Sequence, residues 1–222
     1  MRYGAVMVAA LATAMAGPTS AEIRPERLSA LPYALTLSNK AITAEITPDR
    51  LRLVAPKGSD LYSPAKGPPV DNAPRVTFAP KGDFILSAKV SRPEGSDYAG
   101  GALVAHAAGG RWVKLLFERL NASTNAVTSA VASPISDGSY HIRFPADAPA
   151  LWLKMARAGG SLLLYSSQDG ATWQILRDVP MDEAMPLSIG FAGQSPTGER
   201  YEAVFSNIRF EARKVKDYWQ GK

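Results

Sequence analysis

Hydrophobic and polar positions alternate with period two along most of this chain, in short runs broken by Gly, Pro, Asn and Asp. No long stretch carries the 3.6-residue helical period with caps at both ends. The clearest run is R-W-V-K-L-L-F-E, Arg111 to Glu118. Val113, Leu115 and Phe117 fall on one face, which is wholly apolar and suits a core. Trp112, Lys114, Leu116 and Glu118 fall on the other. An aromatic ring, a cation, an aliphatic chain and a carboxylate together suit the floor of a shallow groove better than bare solvent.

The same pattern predicts strands on either side of this run. Glu22 to Pro32 reads as an extended lead-in. Ala34–Ser38 and Ala41–Thr47 read as two strands around a turn at Asn39-Lys40, and Arg50–Ala55 as a third with Leu51 and Leu53 inward. Pro56 to Arg75, with five prolines, is a long loop that reads as an ordered rim. Val76–Ala79 and Asp83–Ser91 follow around Gly82-Asp83. Ala99–Ala107 turns at Gly109-Gly110 into the Trp112–Glu118 strand, giving a central hairpin. Ala126–Ala132 pairs next, and Ser133–Tyr140 reads as a loop. Ala150–Ala156 turns at Gly159-Gly160 into Ser161–Ser166, and Asp169-Gly170 leads on to Trp173–Leu176. Leu187–Gly193 and Glu202–Phe210 form a closing pair across Pro196-Thr197-Gly198. Roughly twelve to fourteen strands at this spacing predict an all-β sandwich or jelly roll.

Composition changes the picture at the two ends. Met1 to Ala21 has a short basic start, an apolar run from Gly4 to Gly17 and small residues at the cut, the plan of a secretory signal peptide. A cut after Ala16 also fits. The apolar run falls short of the roughly 20 residues that span a bilayer. The expected organisation is therefore a signal peptide over 1–21, a single domain over 22–212 and a basic, solvated tail over 213–222. The mature chain is expected to be periplasmic or secreted, with no membrane segment. Cysteine is absent, which excludes thiol catalysis and cysteine-ligated metal. Net charge is +5, or +4 once Arg2 leaves with the leader. The basic residues are scattered apart from Arg209, Arg213, Lys214 and Lys216, without the aromatic-laced stripe of a nucleic-acid binder, so no nucleic-acid partner is expected.

A series of short motifs then appears in a recognisable order: D-L-Y before D-N-A-P, G-D-F, Y-A-G-G-A-L-V, W-V-K-L-L-F-E, L-W-L-K-M-A-R, Y-S-S-Q-D-G-A-T-W, Q-S-P and F-S-N-I-R-F. From about Ala41 to Phe210 the chain resembles the regulation-of-enolase-type domain family of unknown function, within the concanavalin A-like lectin and glucanase superfamily. The resemblance implies a concanavalin A-like jelly-roll of two antiparallel sheets, one bent so that its concave side can receive a ligand. The chain departs from the family pattern at Phe117, where glycine is usual, and over Ser123 to Ser133, which lacks the usual aspartate-tryptophan.

Chemistry narrows the function. A glycosidase needs two carboxylates across the scissile bond. Glu118 has no acidic neighbour on its own face, Glu45 and Asp49 are separated by Pro48, and Asp182-Glu183 face apart. No Gly-x-Ser-x-Gly is present, and His106 and His141 lack a Ser and Asp setting. His106, at a strand end, reads as a surface or interface residue. Two histidines without cysteine make a zinc site poor, and a calcium site built from Asp97, backbone carbonyls and another loop aspartate has no spaced Asp motif behind it, so no metal and no cofactor is expected. Trp173 reads as structural, packed over the Asp169-Gly170 turn. The strongest candidate surface is Trp112, Lys114 and Glu118 with Tyr98, Asp60 and Tyr62 from flanking loops. Aromatic rings stack on a sugar face while Lys and Glu bond its hydroxyl rim. The same Lys114 and Glu118 would equally make a cross-face ion pair capped by Trp112. The sequence thus points to an exported, non-catalytic jelly-roll binding carbohydrate or a related polar ligand on its concave sheet. A glycosidase with carboxylates from separate strands, or a protein-interaction module, are the alternatives.

Overall fold

The computed structural model describes residues 27–38 and 43–222. The expected signal peptide and the turn at Asn39-Lys40 lie outside the described residues. In chain order the strands are β1 (Thr36–Leu37), β2 (Thr43–Ile46), β3 (Arg50–Pro56), β4 (Leu61–Tyr62), β5 (Val70–Asp71), β6 (Arg75–Phe78), β7 (Phe84–Val90) and β8 (Gly100–His106). They continue with β9 (Trp112–Asn121), β10 (Thr124–Ala132), β11 (Ser136–Pro145), β12 (Leu151–Ala158), β13 (Ser161–Ser167), β14 (Gln174–Pro180), β15 (Ser188–Gln194) and β16 (Arg200–Glu211).

Two seven-stranded antiparallel sheets face each other, the jelly-roll sandwich that the alternation predicts. The first runs β1-β6-β15-β8-β9-β10-β11 and the second β14-β13-β12-β7-β16-β3-β2; β4 and β5 form a separate two-stranded ribbon. Val113, Leu115 and Phe117 of β9 enter the core between the sheets, as their face predicts, with Leu51 and Leu53 of β3. Phe191 on β15 meets Phe205 on β16 across the sandwich, ring centroids 5.0 Å apart. The central hairpin forms in register, His106 opposite Trp112, and turns through Gly109 and Gly110, both at φ 74°. Positive φ is where glycine carries no steric penalty.

Strands adjacent in sequence are often not adjacent in space. β1 pairs with β6 in the first sheet, whereas β2 pairs with β3 in the second. Ala34–Ser38 and Ala41–Thr47, read as two strands around a turn, therefore hold strands that do not pair with each other. The same correction applies across Gly82-Asp83 and across Pro196-Thr197-Gly198, because β6 and β7, like β15 and β16, lie in opposite sheets. A turn signal marks a reversal but does not distinguish a hairpin from a crossing between layers. Of the lead-in, residues 22–26 lie outside the described residues; over 27–32 it differs, since Leu28 and Leu31 are buried and the Leu31 amide bonds the Leu28 carbonyl at 3.0 Å, a turn rather than an extended segment. Finally, the segment read as a loop at Ser133–Tyr140 enters β11, an edge strand paired to β10 from Thr124 to Ala132.

The last residues are not a solvated tail. They lie across the outer face of the second sheet, over Tyr165, Trp173 and Lys154. Lys154 Nζ donates to the carbonyls of Gln220 (2.9 Å) and Gly221 (3.0 Å) and stands 3.8 Å from the Trp173 ring centroid. Tyr165 donates its hydroxyl to the Tyr218 carbonyl at 2.7 Å. Gln220 exchanges two side-chain bonds with the Trp173 backbone, each 3.0 Å. Burial pushes the Lys154 pKa down to about 8, so the amine still carries its charge at neutral pH. Lys154→Met should remove about 2 kcal/mol from the docking of this segment, since hydrogen bonds from charged donors are the strong ones. Amide exchange should then accelerate across residues 213–222 while the core strands stay protected. Unchanged exchange there would show that the lysine holds nothing. The ring packed on the Asp169-Gly170 turn is Trp152 rather than Trp173: a Cβ on Gly170 would lie 2.9 Å from the Trp152 indole.

Candidate functional site

The face of β9 turned away from the core forms the floor of a cavity of about 490 Å³ on the outer side of the first sheet. Lys114, Leu116 and Glu118 alternate along it, flanked by Thr128 and Ala130 of β10 and by Gln194 at the end of β15. The wall is supplied by Asp60 and Tyr62 from the proline-rich loop, Tyr98 from the loop before β8, and Ser136, Ser139 and Tyr140 from β11. Five of the six residues singled out from the sequence thus meet around one cavity: Asp60, Tyr62, Tyr98, Lys114 and Glu118. Trp112 is a correction. It is 5% exposed, packed with Leu61, Ala73, Ala102, Val104 and Leu116, and does not line the cavity. The ribbon closes over that end of the strand, which alternation along β9 alone cannot reveal.

The rim is ordered, as its sequence predicts. Ser59 pairs with Ser195 in an isolated bridge, and the Asn72 side-chain oxygen accepts the Asp60 amide at 2.8 Å. The Asp60 carbonyl in turn accepts the amides of Asn72 (3.1 Å) and Ala73 (3.0 Å). The Ser63 amide donates to the Ser136 hydroxyl at 2.8 Å, and the Ser136 amide to the Ser63 carbonyl at 2.8 Å, which tie the loop to β11. Tyr98 sits at φ 64°, and its carbonyl accepts the Gln194 side-chain amide at 2.8 Å.

Lys114 and Glu118 do not pair with each other. Lys114, 8% exposed, donates to Asp60 Oδ1 at 3.0 Å and to Gln194 Oε1 at 2.7 Å. Glu118, 6% exposed, accepts the Thr128 hydroxyl at 2.7 Å. Burial pushes the Glu118 pKa up from 4.5 to about 7; the Thr128 bond and the Lys114 charge pull the other way. Opposite Glu118 in the ladder stands Gly100, where a Cβ would lie 2.4 Å from the Phe117 carbonyl and 2.8 Å from Glu118 Cα. Only glycine permits so close an approach of β8 to β9.

The second carboxylate that the strand lacks comes from the loop: Asp60 and Glu118 line one cavity, with the Lys114 ammonium bonded to Asp60. The residues that sequence reasoning missed are Gln194, Thr128, Ser136, Ser139 and Tyr140. Gln194 opens the Q-S-P motif, a usable signal, and Thr128 shares a face with Ala126 and Ala130 on β10. Tyr140 stood within the segment read as a loop. Among the described residues no group of three or more His, Asp or Glu side chains is placed to hold a metal ion. Asp97 instead has its carboxylate 4.0 Å from Arg119 Nε. His106 is half-buried with an unpartnered Nε2 rather than a surface residue, and burial lowers its pKa to about 4. His141 Nε2 lies 2.8 Å from the Ser129 hydroxyl.

The fold is similar to that of a solved, functionally unknown protein from Saccharomyces cerevisiae, at 19% identity and TM-score 0.72, covering 81% of this chain and 96% of that one. It is also similar to a GH43 protein from Bacillus licheniformis, at 13% identity, TM-score 0.56 and 74% of this chain. A xylan beta-1,4-xylosidase from Bacillus halodurans matches at 18% identity and TM-score 0.55 over 73% of this chain. The chain spans 33% and 32% of those two proteins. At such identities the likeness is one of fold alone. Among curated proteins no sequence matches this chain. The sequence model of one family, by contrast, covers residues 38–213, and the chain belongs to that family of proteins of unknown function, DUF1349.

Proposed function

We propose that this protein is an exported, non-catalytic module that binds carbohydrate, or a related polyhydroxylated ligand, in the cavity on the outer face of its first sheet. One observation carries the reading. Three exposed tyrosines, Tyr62, Tyr98 and Tyr140, ring a floor whose polar side chains, Lys114, Glu118, Gln194 and Thr128, are already held by hydrogen bonds. Tyrosines offer stacking surface for the apolar face of a sugar, and the held donors and acceptors suit its hydroxyl rim without further ordering. A cavity of about 490 Å³ lies within the range of small-ligand sites. The two seven-stranded sheets support placing the chain in the concanavalin A-like superfamily; the enolase-regulation label adds no chemistry to the cavity. Export, to the periplasm or beyond, rests on the leader read over residues 1–21.

Glycan-array screening followed by calorimetry tests this. Tyr140→Ala should weaken binding about tenfold, the loss of one stacked ring, without altering the fold. Binding unchanged in both Tyr140→Ala and Tyr98→Ala would remove this cavity from consideration.

A second reading has its own support. Glu118 holds its proton to about pH 7, and Asp60 faces the same cavity. Two carboxyl groups placed across the scissile bond, one of them holding its proton, are what glycoside hydrolysis uses. Turnover of a glycan by the wild type, lost in both Glu118→Gln and Asp60→Asn, would replace the binding module with a hydrolase.

A further inference from the structure

A second cavity, of about 450 Å³, opens at the edge of the second sheet and shares no residue with the tyrosine-ringed one. The residues between β6 and β7, the end of β12, the loop after β14 and the residues following β16 surround it. Its charged lining is Lys81, Asp83, Arg157, Glu183, Arg213 and Lys214. Arg157 sits deepest, at 4% exposure. Among the described residues no carboxylate pairs with it. Its Nη2 donates to the carbonyls of Asp182, at 3.0 Å, and Glu183. Its Nε and Nη1 meet no acceptor among the described residues, yet neither belongs to the unpartnered atoms sealed from solvent. Three N–H bonds on these two nitrogens are thus left without an acceptor among the described residues.

Burying a guanidinium without a counter-charge is costly, and two carbonyl bonds offset only part of that cost. The remaining lining does not neutralise it. Asp83 Oδ1 accepts the Gly159 amide at 2.9 Å, and Glu183 is exposed. Arg213 is committed in part, its Nε to Glu211 at 2.6 Å and its Nη1 to the Lys214 carbonyl at 3.1 Å. Lys81 and Lys214 are exposed, and neither amine forms an ion pair among the described residues. Four cations thus stand against two carboxylates around a hollow lined by a buried guanidinium whose Nε and Nη1 donors are not spent on the loop carbonyls. Those donors can each bond an oxygen of a tetrahedral oxyanion while the guanidinium supplies fixed charge, and the two lysines can close on it as mobile point charges.

We propose that this cavity binds a tetrahedral oxyanion, a sulfate or phosphate group, with Arg157 as its fixed donor and Lys81 and Lys214 as its flexible ones. The group can arrive as a free ion or as an ester on a polymer. The alternative role for Arg157, to pin the loop after β14 through its two carbonyl bonds, predicts no anion dependence.

The test is a calorimetric titration of the full chain with sodium sulfate and with inorganic phosphate, at ionic strength held constant with chloride. Constant ionic strength removes the general stabilisation that excluded salts give any protein. The expected result is saturable binding of one anion per chain, weakened about tenfold in Lys81→Ser/Lys214→Ser, a change at two exposed positions that leaves the fold intact. Arg157→Lys, which keeps a donor for the loop carbonyls but loses the remaining guanidinium donors, should weaken it further. Linear, non-saturating heats, or identical isotherms for wild type and the double variant, would overturn the proposal. Retention on a sulfated polysaccharide compared with its unsulfated parent then assigns the source. Preferential retention that Lys81→Ser/Lys214→Ser abolishes points to an ester, and equal retention with saturable inorganic binding points to the free ion.

Discussion

Replacing Glu118 by glutamine is expected to flatten the pH dependence of stability between about pH 4.5 and 7. In the folded chain burial raises the Glu118 pKa from 4.5 to about 7. Across that interval the folded state keeps a proton that the unfolded state has lost, so stability falls as pH rises. The contribution is whole below pH 4.5, declines through the window and is gone above pH 7. At 1.36 kcal/mol per pH unit, the change amounts to about 3 kcal/mol. Glutamine keeps an oxygen to accept the Thr128 hydroxyl and has no charge to desolvate. Glu118→Gln should therefore match wild type at pH 4 and exceed it by about 2–3 kcal/mol at pH 8. Urea denaturation at pH 4, 6 and 8 reads this directly, because every other titrating group is common to both proteins. Parallel curves would mean that Glu118 is solvated and that the cavity floor is not the low-dielectric site its geometry describes.

The second large effect is expected at Lys114. Its ammonium is the hub joining the β9 floor, Asp60 on the loop and Gln194 on β15. Lys114→Met keeps the aliphatic stem and removes the charge, leaving the half-enclosed Asp60 carboxylate with the Leu61 amide at 2.7 Å but no cation. Breaking a buried pair from one side costs more than the pair contributes, because the remaining ion stays desolvated. A loss of about 3 kcal/mol is expected, at the low end of that effect because the cavity admits water. Amide exchange at Asn72 and Ala73, which bond the Asp60 carbonyl, should accelerate as the loop loosens, and any glycan binding measured for the wild type should vanish. Adding Asp60→Asn should recover part of the stability, since it removes the stranded charge. Wild-type stability in Lys114→Met, with no recovery in the double variant, would show that the ion pair is idle.

What could be read in advance follows a physical division. Turns with left-handed glycines, Gly109-Gly110 and Asp169-Gly170, declare hairpins locally, and both hairpins form. The inward face of β9 was equally legible because each of its residues is apolar. Depth along a strand was not: Trp112 and Lys114 share a face, yet one lies beneath the ribbon and the other in the cavity. Layer membership was also hidden, since β6 and β7 are consecutive but packed in opposite sheets. The edge strand β11 is fully enclosed on neither face, so S-D-G-S-Y-H carries no alternation to detect. The convergence of Asp60 with Glu118, and the docking of Gln220 on Trp173, depend on contacts between distant segments that no local pattern encodes.

The close approach of β8 to β9 at Gly100 has a kinetic corollary for any ligand of the first cavity. With backbone rather than side chain between the strands at Glu118, the floor cannot shift without breaking the ladder. Adaptation is left to the tyrosines at the mouth, which are exposed and free to change rotamer. Ligands that differ at the buried end should be accepted or rejected outright, whereas those that differ at the outer end should vary mainly in residence time. Selectivity and dwell time would then be set by different parts of the same molecule, one rigid and one mobile.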